Sequence, residues 1–239
     1  MLCLNCNHPI QLNYCEFCGQ RAATHRFSFN QHFFHDFVHG VFHLDKGLLF
    51  TLKELFIRPG HTVREYIAGK RTSHFNFFSF YLLALTSITF LRHLSGVQID
   101  NLFHTHVSQE IITLNKELIG RFGKFMAVFS IPIFTVINYF LFRKSNQNLA
   151  EHLVINLYKS GATFCIMAIF HVLGLVFPHH TDLKHFYVFI SLAQFFYEFI
   201  FCYQYFSVFG YSKISLFIRA FLGCLFMGAL IVNKWLLFI

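Results

Sequence analysis

Charged side chains are scarce. Asp, Glu, Lys and Arg make up 13% of the 239 residues, about half the roughly 25% that a soluble globular chain carries. With 55% hydrophobic residues and 36 Phe, so few charges cannot cover a water-facing surface. An ordinary soluble domain is excluded, and a bilayer is the natural solvent. No cleavable signal peptide, internal repeat or low-complexity tract is visible. Several catalytic and nucleotide-binding patterns are missing too. Gly60 and Gly69 are too far apart for a phosphate-binding loop, and Arg71 stands where Ser or Thr should ligate magnesium. Glu151-His152 reverses the order of the zinc-protease motif, and Asn156 occupies the place of its second His. No Ser-His-Asp or Cys-His arrangement can be assembled. Acidic residues number 11 against 19 basic ones, a net charge of +8. Most Lys and Arg precede residue 75 or sit in short loops. Basic flanks of this kind orient membrane helices and meet anionic headgroups, so a lipid bilayer is expected as partner and nucleic acid is not.

The first eighteen residues carry the strongest local signal. Cys3-Leu4-Asn5-Cys6 is followed by Cys15-Glu16-Phe17-Cys18 and Gly19. Two CxxC pairs this close read as a four-thiolate site for structural Zn2+, with Cys3, Cys6, Cys15 and Cys18 as ligands. The rival reading is a redox CxxC pair, but closure around one ion explains both pairs at once. His8 is a substitute ligand that four thiols make unnecessary. Thiolates need a reducing compartment, which puts the N-terminus in the cytoplasm. Cys165, Cys202 and Cys224 lie in apolar runs and read as small buried hydrophobes.

Five apolar stretches approach spanning length, about 20 residues each. They run over about 75–94, 122–142 (interrupted by Pro132), 160–177, 186–209 and 214–237, the last carrying Lys234 and Trp235 at an interface. Basic loops alternate with balanced ones. Lys46, Lys53, Arg58, Arg64, Lys70 and Arg71 precede the first stretch, and Arg143, Lys144 and Lys159 precede the third. The alternation gives a cytoplasmic N-terminus in a multi-pass inner-membrane protein, in agreement with the cysteines. The expected fold is an all-α polytopic membrane protein of about five transmembrane helices with a small N-terminal zinc-ribbon module. Its parts are a double knuckle (1–22), juxtamembrane amphipathic helices (23–74) and a transmembrane bundle (75–239).

Residues 30–50 read as an amphipathic helix in the headgroup plane. At 100° per residue, His32, His35, His39 and His43 fall within roughly 80° of arc, opposite Phe33, Phe34, Phe37, Val41, Leu44 and Leu48. The four His suggest a second metal site or a pH-sensing face; a solvated polar face is the plainer reading. Arg58-Pro59-Gly60 reads as a turn, and Thr62-Val63-Arg64-Glu65 as a capping box opening a further short helix. Arg64, Lys70 and Arg71 suit a lipid-phosphate site. Glu151 and His152 could join it as an acid–base pair, though Glu151 also fits the anchoring of a helix start.

Three blocks of residues resemble an uncharacterised bacterial membrane-protein family, domain of unknown function 3667. They are the double knuckle through Cys18-Gly19-Gln20-Arg21; His43-Leu44-Asp45-Lys46-Gly47 with Thr51, Pro59-Gly60 and Arg64-Glu65-Tyr66-Ile67-Ala68-Gly69-Lys70-Arg71; and Glu151-His152-Leu153-Val154. They cover about residues 1–77 and 148–158. The family usually has a proline shortly after the glycine-lysine-arginine, where this chain has Asn76-Phe77. The resemblance implies a membrane protein with a zinc-ribbon head, and no activity.

Glu198 is the costliest side chain in the apolar runs, with Gln194 one turn away on the same face and His171 and Arg219 as candidate partners. It reads either as a proton or cation relay or as a neutral interhelical packing device. Three functions remain open. The leading one is a non-enzymatic adaptor or regulator whose zinc head binds a protein partner. The others are a small proton- or cation-coupled transporter using Glu198 and a lipid-headgroup-modifying enzyme using Glu151 and His152.

Overall fold

A computed structural model describes residues 1–29, 47–97, 130–177 and 180–236, the side chains of the last segment over 183–226. The expected His face of His32, His35, His39 and His43 lies outside the described residues. Among the described residues seven α-helices follow the head: α1 (Leu48–Ile57), α2 (Pro59–Ile67), α3 (Phe77–Ser95), α4 (Ser130–Leu141), α5 (Leu149–Val176), α6 (His180–Phe206) and α7 (Lys213–Leu236). Among the described residues there is no β-strand; two isolated bridges in the head are the only extended pairing.

The chain is a helical membrane protein. Among the described residues α3, α5 and the Leu183–Phe206 part of α6 are long and apolar enough to cross a bilayer, and α4 is a shorter apolar helix. The expected second stretch is described only from Ser130, and the expected fifth is the helix α7.

Helix α5 departs from the sequence reading. It begins at Leu149, eleven residues before the expected Ser160, so Lys159 is a helix-interior residue and not a loop residue. Asn148 starts it: its side chain accepts from the Glu151 N–H at 2.9 Å, while Glu151 Oε2 accepts from the Asn148 N–H at 2.9 Å. This reciprocal capping box satisfies two otherwise orphaned donors. At 1.5 Å per residue its 28 residues span about 42 Å, well beyond an apolar slab of about 30 Å. Its first turns therefore project toward the head.

The short helices α1 and α2 form the frame that receives the head. Pro59 occupies the first turn of α2, where its missing N–H costs nothing. The expected capping box at Thr62 is not formed, because the helix has already begun. Thr62 Oγ1 donates instead to the carbonyls of Glu54 (3.1 Å) and Arg58 (2.8 Å). Gly60 is set by space: a Cβ there would lie 2.3 Å from the Tyr205 backbone nitrogen, so α2 and α6 meet backbone to backbone. Buried Thr51 in α1 accepts from the Phe75 N–H at 2.7 Å and fixes the approach to α3. Asn76 then caps α3, accepting from Phe78 N–H (2.9 Å) and Ser79 N–H (3.3 Å). A capping asparagine thus stands near where the family pattern has proline. Between these elements Tyr66 packs edge-on to Phe77 and Tyr158, and Phe142 stacks on Phe206 at 3.7 Å.

Candidate metal centre and polar seam

The two knuckles obey one hydrogen-bond pattern, repeated twelve residues on. The N–H of Cys3 donates to His8 O and that of Cys15 to Gln20 O, both at 2.8 Å. Asn7 N–H returns to Cys3 O and Gly19 N–H to Cys15 O, at 2.9 and 2.8 Å. Asn7 and Gly19 are both left-handed (φ 60° and 74°), so each knuckle closes with a residue type that tolerates that conformation. Bridges Leu2–Pro9 and Tyr14–Arg21 flank them. Two local turns, each pointing two sulfurs the same way, thereby face each other.

The ligand atoms of Cys3, Cys6, Cys15 and Cys18 all lie within 4.8 Å of one another. Cys3–Cys18 and Cys6–Cys15 are each 3.5 Å apart, close to the roughly 3.8 Å edge of a tetrahedral four-thiolate site with bonds of about 2.3 Å. The donor set itself calls for a cation. Burial pushes the Cys3 thiol up, but the N–H groups of Cys6 and Asn5 and the neighbouring thiols bring it down to about 7. At Cys6 the His8 N–H favours the thiolate, yet burial and the three surrounding sulfurs push it up to about 12. Thiols crowded this closely resist full deprotonation, and a cation among them favours the thiolates. His8 stacks on Phe17 at 5.4 Å, apart from this set. The four cysteines can hold a metal ion.

Beyond the second knuckle the chain docks on the membrane body. Gln20, 4% exposed, donates through Nε2 to Gly69 O at 3.0 Å and accepts through Oε1 from Arg71 N–H (3.3 Å) and from Thr72 N–H (3.0 Å) and Oγ1–H (2.5 Å). Ser73 donates to Asn5 at 3.2 Å. Arg26 then reaches buried Glu151 with two charge-assisted bonds, Nε at 2.6 Å and Nη2 at 2.8 Å. Asn148 donates to Phe27 O at 2.6 Å. The head is thus tied to the turn after α2 and to the start of α5.

The residues expected to form a headgroup site are partly separated. Arg71 lies with its guanidinium 3.8 Å from the Phe27 ring centre and donates to His25 O at 2.8 Å. Arg64 donates to the carbonyls of Gln204 (3.0 Å) and Tyr205 (3.2 Å) at the end of α6. Lys70 turns to Glu65 at 3.5 Å. Glu151 is committed to its cap and to Arg26, while His152 is fully buried beside Phe206 and Tyr139, with neither ring nitrogen hydrogen-bonded among the described residues. Glu151 and His152 do not converge on one point.

A feature the sequence reading missed runs along α5. His152, Asn156, Lys159 and Thr163 recur at i, i+4, i+7 and i+11, within about 60° of one helix face, and all are buried. Asn156 accepts from Asn138 of α4 at 2.7 Å. Gln194 of α6 donates to Thr163 O at 2.8 Å. Lys159 (1% exposed) and Glu198 (4% exposed) act on each other electrostatically across the α5–α6 contact. The expected partners lie elsewhere: His171 shares a hydrogen bond with Ser95 at 3.0 Å, and Arg219 binds Ser215 and the Leu141 carbonyl. The seam covers about 16 Å of helix. Because Glu198 is eight residues from the end of α6, the seam occupies the half nearer the head.

His74, 7% exposed between the rings of Phe50 (5.3 Å) and Tyr66 (5.8 Å), gives a pH prediction. Burial lowers its pKa from the ordinary 6.5. The unfolded chain takes a proton that the folded one refuses, so stability is complete above 6.5 and erodes as pH falls below it toward the lowered folded value. The melting temperature of the detergent-solubilised protein should fall between about pH 7.5 and 5.5, and His74→Phe should flatten that fall. An unchanged slope in the variant would assign the fall to other groups.

Residues 45–89 match the model of a family described as a protein of unknown function (DUF3667). The match takes in α1, α2 and most of α3, the frame on which the head docks. No curated protein and no solved structure matches the chain.

Proposed function

We propose that this integral membrane protein is a non-enzymatic adaptor or regulator, with a structural zinc ion held by Cys3, Cys6, Cys15 and Cys18 in a head on the cytosolic side of a bacterial inner membrane. Four thiolates close a tetrahedral shell and leave no open position for substrate, and zinc is the redox-inert ion that suits such a shell. The orientation is supported by charge. Among the described residues Arg58, Arg64, Lys70, Arg71, Arg143 and Lys144 lie at the head end of the helices, against Arg92, Lys184 and Lys234 at the far end. The observation that carries the regulatory reading is the clamp made by Gln20 and Arg26. A partner seated on the head acts directly on the turn after α2 and on the start of α5. Leu2, Leu12, Tyr14 and Phe17 are 57–76% exposed on the head and offer that partner an apolar contact. Affinity capture of the full chain from membranes should recover a protein that is lost on zinc chelation and on Phe17→Ala, the latter without loss of metal. A set of captured proteins that neither treatment changes would end the adaptor reading.

The seam favours a second reading, a proton- or cation-coupled carrier working through Lys159 and Glu198. Buried ionisable groups on adjacent spans are sites by default, but this seam stops about halfway along α5, so the reading ranks second. Unchanged flux through reconstituted Glu198→Gln protein would remove it.

A further inference from the structure

Two of the four ligand sulfurs can be reached from outside the head. Cys3 (0% exposed) and Cys15 (2%) are buried, while Cys6 and Cys18 are half-buried. The residues flanking the reachable pair give little cover: Asn7, Phe17 and Gly19 are exposed. Two sulfur contacts cross between the knuckles, and each joins unlike partners. Half-buried Cys18 lies 3.5 Å from buried Cys3, and half-buried Cys6 lies 3.5 Å from buried Cys15. Each reachable sulfur thus has a sheltered one beside it on the other knuckle. All four are free cysteines, not disulfides.

An accessible sulfur beside a sheltered one is an attacked thiolate with a resolving partner. With a cation bound, all four groups are thiolates, the nucleophilic form. Hydrogen peroxide meets Cys6 or Cys18 first. The thiolate sulfur attacks one peroxide oxygen, the O–O bond breaks, and with one proton taken up the products are a sulfenic acid and water. The sheltered thiolate then attacks the sulfenic sulfur. The S–O bond breaks, its oxygen leaves with a further proton as a second water, and an S–S bond forms. Two thiolates have lost two electrons and one peroxide has gained them. An S–S bond is about 2.05 Å long, so the two sulfurs leave the roughly 3.8 Å edge that a bound ion requires. Disulfide sulfurs carry no charge for the ion, and the shell loses two of its four ligands.

We propose that Cys6 and Cys18 are oxidation sites for hydrogen peroxide, that they cross-link to Cys15 and Cys3 respectively, and that the cross-link ejects the metal and frees the head from the membrane body. The ligand cysteines are themselves most of the core of the head: Cys3, Ile10 and Cys15 are buried, with Cys6, Cys18 and Ala22 against them. Gln20 and Arg26 follow the second knuckle directly. They carry the bonds to Gly69, Thr72 and Glu151. The redox state of the head thereby reaches the turn after α2 and the start of α5. The proposal rests on the four-cysteine metal reading and on no protein partner.

The full chain is purified in dodecyl maltoside under reducing conditions, its metal content is measured, and after removal of the reductant it is titrated with hydrogen peroxide. Released zinc is read with a chromogenic chelator. Disulfides are mapped by mass spectrometry after free thiols are blocked. Chymotryptic cleavage after Leu4, Tyr14 and Phe17 separates the four cysteines, so the map distinguishes cross-knuckle bonds from bonds within a CxxC pair. About one metal ion per chain should leave with the first disulfide, and that disulfide should be Cys3–Cys18 or Cys6–Cys15. Exchange of the Arg71 and Thr72 amides, which donate to Gln20, should rise over the same peroxide range. Dithiothreitol with zinc should reverse both changes. Disulfides only within Cys3–Cys6 and Cys15–Cys18, or amide exchange that ignores the oxidation, would overturn the proposal. A protein purified without metal would sink the metal reading beneath it, whereas a loaded protein that keeps its metal through oxidation sinks this proposal alone.

Discussion

Replacing Cys15 and Cys18 by serine should abolish metal binding at the four-cysteine site and release the whole head. The head has little core of its own: among the described residues it buries Cys3, Ile10 and Cys15, with Cys6, Cys18 and Ala22 packed around them. Modules below about 40 residues rarely fold without a disulfide, metal or partner, and a structural zinc ion supplies roughly 10–16 kcal/mol to such a module. No hydrophobic burial available here approaches that. Metal analysis should fall from about one equivalent per chain to none, and limited proteolysis should cut within residues 1–29 while the helices survive. Gln20 and Arg26 should lose their partners with it, since both sit within eight residues of Cys18. A serine variant that keeps its metal, or an apo head as protease-resistant as the loaded one, would refute this account of the module.

Lys159→Met should destabilise the membrane body. It removes the positive charge that acts on buried Glu198 from α5, a loss on the order of 1–3 kcal/mol. Lys159→Met/Glu198→Leu should recover most of that loss or exceed the wild type, because two well-packed apolar side chains replace a pair whose desolvation is costly. The reading is a double-mutant cycle in thermal or denaturant stability of the solubilised protein. Coupling of a kilocalorie or more is expected of groups in one network. Additive single and double variants would mean that the two charges do not sense each other.

What was legible in the sequence was what is local. The knuckles could be read because their four ligands fall within sixteen residues and each CxxC makes its own turn. The spans could be read because apolar runs have only one comfortable solvent. The start of α5 was misread for the opposite reason. Residues 149–159 carry Glu151, His152, Asn156 and Lys159, and hydropathy cannot distinguish a solvated loop from a helix whose polar face is buried against other helices. The signals were present as Asn148 three residues before Glu151, a capping box, and as the heptad spacing of His152, Asn156, Lys159 and Thr163. Pro59 likewise marks the first turn of α2 more reliably than Thr62 does. The docking of the head was not legible at all. Gln20 bonds residues 49 to 52 positions away and Arg26 bonds Glu151 125 positions away, and a lone glutamine or arginine in a short polar segment announces no such partner.

The most direct measurement is hydrogen exchange at the backbone amides of Arg71 and Thr72 in nanodiscs, with metal loaded and with metal stripped. Both N–H groups donate to the Gln20 side chain, which the second knuckle delivers. Their protection should be high in the loaded protein and should collapse on stripping, while amides in the middle of α5 stay protected. If the two amides exchange at the same rate in both forms, the metal head is not what clamps this turn.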